Sequence, residues 1–312
     1  MKGRPLSSRW AALALLPAAL LVPLVATSGS DGAPASTAVP AAYGSHPALF
    51  FDEAMFTEAV RSAQSVPEPD GPVVGGIIPH HLLPGHLIAG FFRGLAAGDA
   101  PETVILIGPN HDNEGSARIL TSELPWETPF GAVEPDLETI RALTADGLAT
   151  VEDRVLTTEH SVAGIMPAIK YYLAGARVAP IILSGDVTPA EAQRLGEALA
   201  ARWSEGTVLV AAVDFSHGLL RSQAERNDAL TIEALRAGDA GALFTLDNRY
   251  LDSPPSIAAL MAAMKALGAN DFVLIENTNS GALLEDELTP TTSYVLGYYR
   301  LGGFSGQTGD GR

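Results

Sequence analysis

Cysteine is absent from the 312 residues. Its absence excludes disulfides, thiolate nucleophiles, iron–sulfur clusters and thiolate zinc sites together, so any bound metal must be held by nitrogen and oxygen. Positive charge is scarce: 19 Lys and Arg stand against 36 Asp and Glu, a formal net charge of −17. The imbalance is uneven. The first 44 residues hold Lys2, Arg4 and Arg9 against only Asp31, so the remainder carries 16 basic and 35 acidic residues, or −19. Such a surface repels phosphate backbones and anionic headgroups, which argues against nucleic-acid binding and makes cations the natural partners. No repeat of roughly 20–50 residues is present, and no P-loop occurs. Gly75-Gly76 lacks the further glycines of a dinucleotide fingerprint.

What is present is enough apolar residue, 47% of the chain, to bury one sizeable core. Residues 1–28 read as a signal peptide or N-terminal anchor: a basic start, the apolar run Trp10 to Ala26, then small residues. The expected location is therefore exported, extracytoplasmic or membrane-anchored, with an N-terminal membrane tether if the leader is retained. Residues 29–44, rich in Ala, Pro, Ser and Thr, read as a disordered linker, 45–302 as the folded domain and 303–312 as a flexible Gly-rich tail.

Short apolar runs rich in β-branched residues recur at Val73 to Ile78, Thr103 to Ile107, Val178 to Leu183, Thr207 to Val213, Phe272 to Ile275 and Ser293 to Tyr299. Between them lie stretches of helical period: Leu87 to Ala97, Asp136 to Asp146, Val162 to Leu173, Ala190 to Trp203, Ala224 to Ala237 and Ser256 to Leu267. Alternation of this kind predicts a single α/β domain, a central and mainly parallel sheet with helices on both faces.

The seven histidines are not scattered. Three predicted strands run directly into Pro79-His80-His81, Gly108-Pro109-Asn110-His111 and Asp214-Phe215-Ser216-His217. Loops beyond the carboxyl ends of parallel strands form the ligand crevice of open α/β sheets, so three strands deliver imidazole or carboxylate to one edge. Glu159-His160-Ser161, opening the stretch Val162 to Leu173, can face the same crevice. One histidine after a strand is ordinarily a hydrogen-bonded loop residue; several at one edge point to a mononuclear metal site. His46 falls outside these motifs and is either structural or pocket-lining, and His86 sits where it can cap a helix. Asp214, Ser216 and His217 do not make a hydrolase triad, because four consecutive residues cannot hydrogen-bond in series as nucleophile, base and orienter.

In these blocks, together with Thr128-Pro129-Phe130-Gly131, the chain resembles the Memo family, also called AmmeMemoRadiSam system protein B, from about His46 to Tyr299. That family is similar in fold to class III extradiol dioxygenases, which hold a non-heme ferrous ion. The resemblance implies metal ligands at His80 and His111, and a pocket aspartate and histidine at Asp214 and His217. The family's third ligand position, a cysteine, falls in Leu251-Asp252-Ser253-Pro254-Pro255-Ser256, where Asp252 is the candidate replacement and Asp214 its rival. His81 is a further candidate ligand, since the doublet His80-His81 replaces the family's His-Ala-Gly.

The leading functional expectation is a dioxygenase-like oxidoreductase acting on a small molecule through a divalent metal, Fe(II) first, with Cu or Zn as alternatives. Proton transfer would fall to His217 or His160, with Asp214 in the pocket. A non-catalytic metal-binding or partner-protein-binding role, and a metal-assisted hydrolase, are the competing readings.

Overall fold

The computed structural model describes residues 44–64 and 71–301, all within one compact unit. The expected leader over 1–28, the linker apart from its last residue, and the tail over 303–312 lie outside the described residues. Along the chain, α1 (Glu53–Ser62) leads to β1 (Val73–Ile78), α2 (Gly85–Ala97) and β2 (Thr103–Pro109). Then come β3 (Ile119–Thr121), α3 (Leu137–Ala145), β4 (Thr150–Val151), α4 (Asp153–Thr158), α5 (His160–Ala163) and α6 (Met166–Tyr172). The second half runs β5 (Arg177–Leu183), α7 (Pro189–Ala200), β6 (Thr207–Ala212), β7 (His217–Leu219), α8 (Arg221–Ala237) and α9 (Ala240–Leu243). It closes with α10 (Pro254–Leu267), β8 (Phe272–Asn279), α11 (Ser280–Leu283) and β9 (Thr291–Arg300).

Four of the apolar runs sit side by side as parallel strands in the order β5-β2-β6-β1. Being covered on both faces, they are almost continuously apolar, which is why alternation is absent from their sequences. Antiparallel strands flank this block: β9 beside β1, with β8 and β7 on β9, and β3 beside β5 with β4 outside it. One core, with Leu195, Leu235 and Leu260, lies under α7, α8 and α10. The other, with Phe91, Phe92, Met166 and Ile169, lies under α2 and α4 to α6.

Gly75 and Gly76 have a packing explanation. A Cβ on Gly75 would stand 2.5 Å from Met264 Sδ, and one on Gly76 2.4 Å from Phe91 Cζ. The two glycines let α10 and α2 close on opposite faces of β1.

The predicted helix over Val162 to Leu173 is broken. Pro167 has no N–H to extend the hydrogen-bond ladder and occupies the first turn of a new helix, α6, while Gly164 closes α5. This break leaves His160 at the start of a separate helical turn.

Candidate metal centre

Parallel strands end on one side of the sheet, and the side chains beyond β1, β2 and β6 meet there. His80 follows β1 and is buried; its Nδ1 lies 3.1 Å from the carbonyl oxygen of Ala212. A carbonyl only accepts, so Nδ1 carries the proton and Nε2 presents its lone pair to the crevice. His111 follows β2. Its Nδ1 donates to Glu159 Oε1 at 2.9 Å, while its backbone N–H donates to Glu159 Oε2 at 2.9 Å. One buried carboxylate thus grips both ring and backbone, the arrangement that orients metal-ligating histidines.

His160 completes the cluster. Its ring stacks on that of His111 with centroids 4.2 Å apart and lies 5.2 Å from that of His80. Ligand-type atoms of His80, His111 and His160 all lie within 4.8 Å of one another, a three-histidine group able to hold a metal ion.

Asp252, in the loop before α10, reaches the same point. Its Oδ2 lies 3.4 Å from His80 Nε2 and 3.7 Å from His111 Nε2. Its other oxygen, Oδ1, is buried without a hydrogen-bond partner. An orphaned carboxylate oxygen is costly unless something fills its coordination. The donor set therefore fits a metal ion: converging imidazoles, an adjacent carboxylate, and ring orientations held from behind by Ala212 and Glu159.

The charges agree. Burial opposes a charge on His111, but the Asp252 and Glu159 carboxylates prevail and raise its pKa to about 10. Burial would likewise raise Glu159, but hydrogen bonding and attraction to His111 hold it at about 2. Burial, then repulsion from His111 and His80, pushes His160 down to about 4.

Other candidates take other places. His81, expected among the ligands, is not drawn into the group: its Nδ1 meets the Tyr294 hydroxyl at 3.1 Å and its ring stacks on Tyr294. Asp214 anchors the doublet, its Oδ1 accepting from the backbone N–H of His80 at 3.0 Å and more distantly from that of His81 at 3.4 Å. Its Oδ2 is 3.8 Å from His80 Nε2, further than Asp252. His217 opens β7, its Nδ1 buried without a partner. His46 is fully buried, stacked on Trp126 at 3.7 Å and hydrogen-bonded to Ser122 and Thr157, and belongs to the scaffold. His86 lies in the first turn of α2, 3.8 Å from Glu276. Two partners of these histidines were not singled out as such from the sequence: Glu159, 48 residues from His111, and Tyr294, 213 residues from His81.

Fold and site together define a class: an α/β protein with a metal-ion-capable histidine cluster at the carboxyl edge of its parallel strands. Comparison with known proteins sharpens this. The sequence profile described as Memo-like protein matches residues 52–298, and the chain belongs to that family. A MEMO1 family protein of Methanopyrus kandleri is 32% identical over 242 residues, covering 73% of this chain and 83% of the relative. One of Pyrobaculum aerophilum is 29% identical over 229 residues, covering 70% and 81%. A solved structure of an uncharacterized protein from Escherichia coli K12 aligns at TM-score 0.48 and 14% identity, over 72% of this chain and 100% of that one, too distant to inform function.

Proposed function

We propose that this chain is a mononuclear non-heme metal protein of dioxygenase-like oxidoreductase type, acting on a small molecule. The observation that carries the reading is the convergence of His80, His111, His160 and Asp252. His80, His111 and Asp252 would hold the ion, two nitrogens and one oxygen. That set, free of thiolate, suits ferrous iron better than cuprous copper. A ferrous ion, when bound, supplies redox and Lewis-acid chemistry that no side chain here possesses.

The residues around it have separate tasks. The Ala212 carbonyl and the Glu159 carboxylate hold the ligand rings in one tautomer and one orientation. His160 has the most exposed side chain of the three histidines, at 43%, and its depressed pKa keeps it neutral near pH 7. It can therefore accept a substrate proton at a ring nitrogen and release it to solvent. We also propose export or membrane tethering through the apolar run Trp10 to Ala26.

Anaerobic Fe(II) loading followed by oxygen-uptake measurements over catechol-type substrates tests the reading. Expected are one iron per chain, uptake that depends on substrate, and loss of iron in both His80→Ala and His111→Ala with the fold retained. Iron bound without uptake would leave a metal-binding protein. Ester or amide turnover without O₂ would point to hydrolysis.

A further inference from the structure

An apolar cavity of about 40 Å³ lies between α1, α2 and α6 and contains none of the metal-centre side chains in its lining. Phe50 and Phe56 close it from the segment leading into α1 and from α1 itself, Leu82 and Ile88 from the entry to α2 and from α2, and Gly164 and Pro167 from the break between α5 and α6. The helix above it is loosely seated: α1 has no buried residue, Met55 is exposed and Phe56 only half-buried.

The cavity and the metal centre share a wall. The Gly164 N–H donates to the His160 carbonyl oxygen at 3.0 Å, and a Cβ on Gly164 would stand 3.7 Å from Leu82 Cδ2 and 3.9 Å from the His80 carbonyl oxygen. Phe50 reaches the same histidine by its side chain, its ring centroid 6.0 Å from that of His160. Phe50 and Leu82 are half-buried and the His160 side chain is 43% exposed, so the wall is open to an entering molecule along these residues.

Size and chemistry say what fits. About 40 Å³ is far below the roughly 300–1,000 Å³ of a whole small-molecule site, so the cavity takes a substituent and not an entire ligand. Asp52 is the only polar side chain among the described lining residues, and it caps α1, its Oδ1 accepting from the Met55 N–H at 2.8 Å. A polar or charged group would lose its hydration here with nothing to offset the loss, whereas an apolar group supplies the contacts that the empty cavity forfeits. The rest of such a ligand must lie outside the cavity, and the site across the shared wall is the metal centre.

We propose that this cavity is the specificity subsite of the metal centre and takes a short alkyl substituent of a small molecule whose chelating head sits at the ion; the head's place rests on the metal-centre reading above. Calorimetric titration of the Fe(II)-loaded full chain with catechol, methylcatechol and propylcatechol, in the absence of oxygen, tests it. Affinity should rise about fourfold for each CH₂ added from methyl to propyl. Ala59→Leu fills the cavity from a helix that has no buried residue, and Ala168→Val fills it from α6; either should bind catechol as the parent does and lose the gain from the alkyl chain. In the metal-free chain, xenon NMR should show a saturable apolar site that both substitutions remove. Iron uptake with equal affinity for the three catechols, or a gain that survives both substitutions, would overturn the subsite and leave the metal centre standing. Xenon bound in the cavity with no iron taken up would overturn the metal-centre reading, and with it the cavity's service to that centre.

Discussion

Asp252 occupies the position that the family resemblance gives to a cysteine, and its surroundings explain how oxygen can serve there. The carboxylate is nearly buried, one oxygen faces two imidazoles, and the other has no partner. Asp252→Asn keeps the shape and removes the charge; ferrous affinity measured by chelator competition should fall about 10- to 100-fold. Unchanged affinity would remove Asp252 from the ligand set and favour Asp214. Glu159 acts one step further out. Glu159→Gln substitutes a neutral amide for the charged group that holds His111 twice, and should weaken metal binding about tenfold with the circular dichroism spectrum unchanged. Neither the Asp252 contacts nor the double grip of Glu159 has a local signature, because each joins residues far apart in the chain.

Among the elements, the crossing of α7 and α10 is the closest approach of two helices to rest on a glycine. A Cβ on Gly196 would stand 2.3 Å from the Ala259 carbonyl oxygen and 2.6 Å from the Ala262 Cβ. Alanine is the better helix former by about 1 kcal/mol, which alone would favour Gly196→Ala. Overpacking works against it by about 1–3 kcal/mol, and a backbone carbonyl cannot swing aside as a long side chain can. We therefore expect net destabilisation, seen as a lower urea midpoint. Helix and strand positions were readable from apolar period, and the six apolar runs named from sequence are all strands. The exceptions are instructive. The period over Val162 to Leu173 continues across Gly164 and Pro167, where the backbone cannot, and β3, with three residues, is too short to show a pattern.

At the scale of the whole molecule, His46 ties the chain before α1 to the rest. Its backbone bonds to Pro125 and Glu127, and its ring is sandwiched among Trp126, Ser122 and Thr157. Burial lowers its pKa from 6.5 to about 4 despite the pull of Asp153. Above pH 6.5 neither folded nor unfolded chain is protonated there, and stability is unaffected. Between 6.5 and about 4 the unfolded chain takes a proton that the fold refuses, so stability falls as pH drops. His46→Gln should flatten that part of the stability profile in denaturant titrations; an unchanged slope would place the acid sensitivity elsewhere.

The alternation of strands and helices, the common edge to which His80, His111 and Asp214 are delivered, and the oxygen-and-nitrogen character of any metal site follow from the amino-acid sequence alone. Each depends on local apolar period, on the rule that parallel strands end on one side, or on the absence of cysteine. Only the tertiary structure decided which side chains turn inward. His160 joins His80 and His111 from the start of α5, His81 leaves them for a tyrosine 213 residues away, and Asp252 arrives on a loop tied to Asp214 by a 3.1 Å backbone hydrogen bond. The direction of a side chain is set by contacts across the fold, and sequence neighbours do not carry that information.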